Sequence, residues 1–215
     1  MIVSFTTDRR QGHARTTAAL RRILRSKKMN APAATAQQVH GSRIQMVPRL
    51  RHPTTYEGAD GLITDSPGQP LGIFTADCVP IFLSARDGQV VGLLHAGWRG
   101  VQSGILKKAA RLLRKKWRLR PSEIKAWAGP SIGPCCFEVQ WDVARFFPAT
   151  RKRKRDRWSV DLAGELRRQA RGLRLVWVRR SPAELCTMHH QRFYSYRRDK
   201  TQNRQVSIIM RTENS

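Results

Sequence analysis

LGIFTADCVPIFLSARDGQVVGLLHAGWRG, residues 71–100, holds two strand-like apolar runs, 71–84 and 89–95. ARDG at 85–88 supplies turn chemistry between them, so a hairpin is expected. Each run carries one residue that apolar runs normally lack. Cys78 sits inside the first, and His95 closes the second.

Further strands are expected at 1–5, 61–64, 124–129, 173–179 and 205–211. From Val101 to Trp117 the apolar spacing is helical, with Ile105, Ala109 and Leu112 on one line and Leu106, Ala110, Leu113 and Trp117 on its neighbour. A second helix is expected from Asp161, whose side chain can cap it, to Gly172, and a third over 13–28. RKRKRDR at 151–157 reads as an exposed loop. Strands outnumber helices and mix with them irregularly. The expected class is therefore α+β, in one domain spanning 1–215.

The chain has 215 residues, 40% of them hydrophobic, enough to bury a core. No apolar run approaches the roughly 20 residues of a membrane helix. The first 17 residues lack a basic start, an apolar stretch and a cleavage site, so no secretory signal is read and a cytoplasmic location is expected. Four cysteines, two of them the neighbours Cys135 and Cys136, suit thiols or metal ligands better than a disulfide framework. The net charge is +26, concentrated in 107–120, 151–157 and Arg-Arg pairs near 167, 179 and 197. Such a field attracts nucleic acid non-specifically. No zinc-finger spacing, aromatic RNA-binding strand or basic zipper accompanies it, so specific nucleic-acid binding is not expected.

Three residues invite a metal reading: His40 in QQVHGSRI, Cys78 in TADCVP and His95 in LLHAGWRG. Gly41, Pro80, Gly97 and Gly100 follow them closely and favour sharp turns that project a side chain from a strand end. Two imidazoles and a thiolate make a three-ligand zinc site with its fourth position open, where bound water has a pKa of about 7. From spacing alone a core cysteine and two satisfied buried histidines are the first expectation, since no paired ligand motif announces a metal.

The ordered motifs QVHG, ADGLIT, TADCVPIFL, HAGWRG and GPSIGPCCFEV, from 38 to 139, resemble the YfiH/YlmD/FAMIN family, formerly labelled multicopper polyphenol oxidases or laccase-domain proteins. A weaker match continues through VDL (160–162) and CTMHHQRFYSYRRD (186–199). The resemblance implies a layered α-β-β-α fold, like a toxin domain that uses cysteine and histidine catalytically. It implies a zinc site on His40, Cys78 and His95, the residues also expected to be catalytic, with copper able to take the place of zinc. It further implies phosphorolysis of adenosine, inosine and methylthioadenosine to base and pentose 1-phosphate, and deamination of adenosine to inosine. Purine nucleosides and phosphate are then the partners.

Within that frame Arg99, in the HAGWRG turn just before a helix, is the expected catalytic and phosphate-side group. Asp77 is expected near substrate, orienting a ligand, accepting a proton or serving structure. Cys135 or Cys136 as a nucleophile is weaker than a loop that walls the pocket. The N-terminus departs from the family: Asp8 stands where an arginine is usual, and Arg9 or Arg10 is the possible substitute. Six histidines fall short of the roughly ten that a multicopper oxidase needs. The competing readings are a cysteine hydrolase using Cys78 and His95, a copper-dependent phenol oxidase, and a basic nucleic-acid-binding protein without catalysis.

Overall fold

The computed structural model describes residues 1–14, 16–178 and 185–212, and in it the run 71–84 is two strands rather than one. Leu71–Thr75 belongs to a five-stranded sheet and Val79–Ala85 to a six-stranded one. The chain changes sheet at Ala76, Asp77 and Cys78. Asp77 makes the change with φ of 93°, a left-handed conformation that side chains rarely adopt and that an apolar composition does not announce. Val79–Ala85 then forms the expected hairpin with Val90–Ala96, with Val79 facing Ala96 and Ala85 facing Val90.

From edge to edge the six-stranded sheet runs Val176–Trp177, Ile124–Ala128, Val79–Ala85, Val90–Ala96, Gly61–Thr64, Ile44–Met46. The five-stranded sheet runs Ile2–Thr6, Gln205–Arg211, Leu71–Thr75, Ala34–Ala36, Thr54–Tyr56. Both are mixed: the six-stranded sheet is antiparallel at its centre with a parallel pair at each edge, and the five-stranded sheet is antiparallel from Ile2–Thr6 to Leu71–Thr75 and parallel from there to Thr54–Tyr56.

Successive residues of a strand point to opposite faces, so an unbroken apolar strand needs cover on both sides. Leu62, Phe82 and Leu93 turn inward, meeting Leu71, Ile73 and Ile209 of the other sheet. Phe82 stacks on Trp127 at 5.5 Å. Their neighbours Ile63, Ile81 and Leu94 turn outward onto Ile105, Leu106 and Leu113 of the helix Ile105–Trp117 and Leu166 of the helix Leu162–Gly172. On the far side, Leu20, Ile23 and Leu24 of the helix Thr17–Ser26 cover Val206 and Ile208. The result is the expected α-β-β-α layering. Each such Leu or Ile contributes about 1.5–3 kcal/mol on burial.

The elements differ from expectation where the backbone turns sharply. The helix read over 101–117 is two, Trp98–Gln102 and Ile105–Trp117, parted at Gly104 with φ of 70°. Asp161 caps its helix by accepting from the Gly164 N–H at 2.8 Å, as expected. The charged stretch 151–157 is exposed but is no loop: Arg151–Lys154 pairs with Arg157–Ser159 across a turn at Asp156. Of the strand expected over 173–179, Val176–Trp177 forms, while Arg179 and its pair with Arg180 lie outside the described residues. Among the described residues no helix is long and apolar enough to cross a membrane.

Candidate active site

The sheet change brings Cys78 to the head of its strand, opposite the end of the neighbouring strand where His95 sits. His40 comes from the segment after Ala34–Ala36, in which Gln38 and His40 both have left-handed backbones, φ 58° and 60°. The curled backbone aims its N–H groups at one carboxylate. Asp60 accepts from Val39 at 3.2 Å, His40 at 3.0 Å and Gly41 at 2.7 Å. The same carboxylate lies 2.7 Å from Nδ1 of the buried His95 ring.

One buried aspartate therefore positions two of the three candidate ligands: His40 through its backbone and His95 through its ring. With Nδ1 engaged, His95 presents Nε2 toward Cys78. The ligand atoms of His40, Cys78 and His95 lie within 4.8 Å of one another, and the two imidazoles meet edge to face at 4.8 Å. Asp60, within ADGLIT, is a site residue that sequence reasoning misses. Its signal in the sequence is a carboxylate directly ahead of the strand Gly61–Thr64, a placement that demands a partner once buried.

Gly97 and Gly100 follow His95 because of crowding rather than turning. A Cβ on Gly97 would lie 3.1 Å from both Cys78 Sγ and His40 Cδ2, and one on Gly100 would lie 2.9 Å from the Gly41 carbonyl oxygen.

Burial alone would raise the Cys78 thiol, but the charge of His95 and hydrogen bonds from His40 and His95 outweigh it and bring the pKa to about 6. Burial would likewise lower His95, yet the Cys78 thiolate and the Asp60 bond raise it to about 9. Burial pushes the Asp60 carboxyl upward as well. The bonds from His95 and from the Gly41 and Val39 N–H groups still hold it below the usual carboxylate range. Without metal, the trio is a thiolate–imidazolium pair braced by a carboxylate. These donors fit one divalent ion: two nitrogens and a soft thiolate converge, and the outer nitrogen of His95 is held by a carboxylate.

The trio lines a cavity of about 440 Å³, together with Phe74, Thr75, Asp77, Ile132, Phe137, Tyr196, Arg197 and Arg204. Asp77 is in this wall, but its carboxylate is engaged: Oδ1 accepts from the Thr187 hydroxyl and Oδ2 from the Arg197 N–H, each at 2.7 Å. Arg99 is not among the lining residues. It is exposed, the second residue of the helix Trp98–Gln102, with its guanidinium 4.3 Å from the Trp98 ring centre. Among the described residues, the cationic side chains lining the cavity are Arg197 and Arg204, which sequence reasoning did not place there. Arg9 pairs with Asp199 and donates to the Phe193 carbonyl; neither it nor Arg10 lines the cavity. Cys135 and Cys136 lie outside the lining too, and burial with crowding by other thiols pushes the Cys136 thiol up to about 12.

Fold and site together define a layered α-β-β-α protein with a His-Cys-His centre open to a cavity. Residues 4–212 match the family described as "Multi-copper polyphenol oxidoreductase laccase", and the chain belongs to this family, that of YfiH. The purine nucleoside phosphorylase of Xylella fastidiosa (strain 9a5c) is 35% identical over 191 residues, covering 80% of this chain and 69% of that protein. The purine nucleoside phosphorylase YlmD of Geobacillus stearothermophilus is 35% identical over 197 residues, covering 82% and 71%. The crystal structure of YlmD from the same organism superposes with a TM-score of 0.82 at 31% identity, over 91% of this chain and 79% of that one.

Proposed function

We propose that this protein is a purine nucleoside phosphorylase that holds one zinc ion on His40, Cys78 and His95. Its main support is the convergence of these side chains on a cavity of about 440 Å³, within the size range of small-molecule sites, in a chain whose relatives carry that activity in their names. Zinc at this position supplies a Lewis acid and a source of hydroxide at neutral pH, the second being what deamination at purine C6 requires.

The chain's own residues divide the remaining work. Phe74, Phe137 and Tyr196 offer aromatic surface for the flat base, and Arg197 and Arg204 offer positive charge to phosphate. Phosphorolysis forms a bond from a phosphate oxygen to the anomeric carbon and breaks the bond from that carbon to the base nitrogen. The base leaves with the electron pair and takes up a proton. Adenosine, inosine and methylthioadenosine are the proposed substrates, with deamination of adenosine as a second activity. The phosphate role expected of Arg99 passes to Arg197 and Arg204.

A second reading is favoured by one observation. Cys78, His95 and Asp60 stand in the order of a thiolate, its imidazolium partner and the carboxylate that orients the ring. A cysteine hydrolase would use them without metal. Incubation of the purified protein with adenosine and phosphate, with metal content measured on the same sample, separates the two. Adenine with ribose 1-phosphate, or inosine, from zinc-bearing protein supports the proposal. Adenine with free ribose from zinc-free protein, abolished by alkylation of Cys78, would replace it with the hydrolase.

A further inference from the structure

Three of the four cysteines take no part in the centre described above. Cys135, Cys136, Cys186 and His189 form a second group whose ligand atoms all lie within 4.8 Å of one another. We propose that this group is a second metal site, a structural zinc centre of three thiolates and one imidazole that fastens the cavity wall.

Two short turns present the four side chains to each other. In the first, the Gly133 carbonyl accepts from the N–H groups of Cys136 at 3.0 Å and Phe137 at 2.9 Å, which curls the chain so that neighbouring cysteines reach one point. In the second, the Cys186 carbonyl accepts from His189 at 3.1 Å and His190 at 3.0 Å, giving a Cys-x-x-His turn. The turns are stitched together beside the group by a bridge between Ser131 and Cys186, with the Thr187 N–H donating to the Ser131 carbonyl at 3.0 Å.

The distances suit a thiophilic ion. Zn–S bonds of about 2.3 Å and Zn–N bonds of about 2.0 Å place tetrahedral donors roughly 3.5–3.8 Å apart. Cys135 Sγ lies 3.6 Å from Nδ1 of His189, the spacing of two donors to one ion; Cys136 Sγ stands 3.2 Å from the ring's other nitrogen, Nε2, and must swing round to share that ion. The Gly133 N–H donates to Cys186 Sγ at 3.3 Å, a bond that stabilises sulfur as thiolate. Three thiolates leave a zinc centre with an excess of negative charge, and cations stand close by. Arg198 donates to the carbonyls of Thr187 and Met188, each at 2.9 Å, and Arg153 reaches the Pro134 carbonyl. Cys135 and His189 are exposed, so an ion can enter from solvent, with the thiol protons released as it binds.

The first turn carries Ile132 and Phe137, which line the 440 Å³ cavity, and the second carries Thr187, whose hydroxyl holds Asp77 beside Cys78. Zinc here joins two walls of the active cavity without contributing a reacting group. It is independent of the His-Cys-His centre, and its test does not depend on which reaction that centre performs.

Zinc per chain is measured by mass spectrometry on full-length protein after dialysis against metal-free buffer, in wild type, Cys78→Ala, Cys186→Ser and His189→Ala. About two ions are expected in wild type and about one in each variant, as for separate closed and open sites. Cobalt added to metal-stripped Cys78→Ala should give the intense sulfur-to-cobalt absorption of several thiolates, lost again on adding His189→Ala. His189 is exposed, so its variant reports on ligation without opening the core, and circular dichroism checks that it is folded. A Cys78→Ala protein that binds neither zinc nor cobalt overturns the proposal, as does freshly purified protein with two of these three cysteines joined in a disulfide.

Discussion

Nδ1 of His95 lies 2.7 Å from Oδ1 of Asp60, and both side chains are buried. The contact fixes the ring so that its other nitrogen faces Cys78, while the same carboxylate gathers three backbone N–H groups around His40. Positioning of the centre thus depends on a residue outside the ligand set.

Asp60→Asn keeps the size of the side chain but loses its charge and one acceptor oxygen. Zinc affinity at the His-Cys-His centre is expected to fall about 10- to 100-fold, the usual effect of losing a carboxylate behind a ligating histidine. Chelator competition measures it. Asp60→Ala strands the histidine and the three N–H groups together and should cost about 3–5 kcal/mol of stability, read from urea unfolding.

Metal uptake at this centre should release protons in a defined number. Between about pH 6 and 9 the metal-free pair is thiolate Cys78 with imidazolium His95, so a single proton must leave when His95 becomes a ligand. Affinity should therefore rise about tenfold per pH unit across that window and level off above it. Below the Cys78 pKa a second proton competes and the slope doubles. Titration calorimetry in two buffers of different ionisation enthalpy, at pH 7.5, should give about one proton released per zinc bound to this centre.

Gly97→Ala places a methyl group 3.1 Å from Cys78 Sγ and His40 Cδ2. The ligands must spread, so zinc affinity and turnover should fall together, while overpacking costs about 1–3 kcal/mol of stability. Tight metal binding in a folded Gly97→Ala protein would show that the close approach is unimportant.

Arg197→Ala and Arg204→Ala should each raise the KM for phosphate about tenfold or more, the cost of losing a charged hydrogen bond, with a smaller change in the nucleoside KM. Arg99→Ala should have the lesser effect, because its guanidinium lies on Trp98 and outside the cavity lining. Steady-state kinetics with phosphate as the varied substrate ranks the three.

Much of this fold was legible because apolar runs and turn chemistry are local signals. Gly61–Thr64 and Gln205–Arg211 fall where the sequence pattern puts them, and Asp161 caps the expected helix. Short strands such as Ala34–Ala36 and Thr54–Tyr56 carry too few residues to show a period, and they form because a neighbouring strand is there to pair with. The break at Asp77 was hidden because it turns on a single backbone conformation within an apolar run. The trio His40, Cys78 and His95 is legible through motif resemblance; the site roles of Asp60, Arg197 and Arg204 are not, since only the folded chain brings them together. Arg99 shows the converse: a cation close to a candidate ligand in sequence is exposed, lies against Trp98 and is not among the residues lining the cavity.

The central claim is tested most directly by following adenosine with isotope-labelled phosphate in zinc-loaded wild type and in Cys78→Ala. Label appearing in ribose 1-phosphate with release of adenine, abolished in Cys78→Ala along with about one zinc per chain, is the expected result. Base release without incorporation of phosphate, or undiminished turnover in Cys78→Ala, would contradict it.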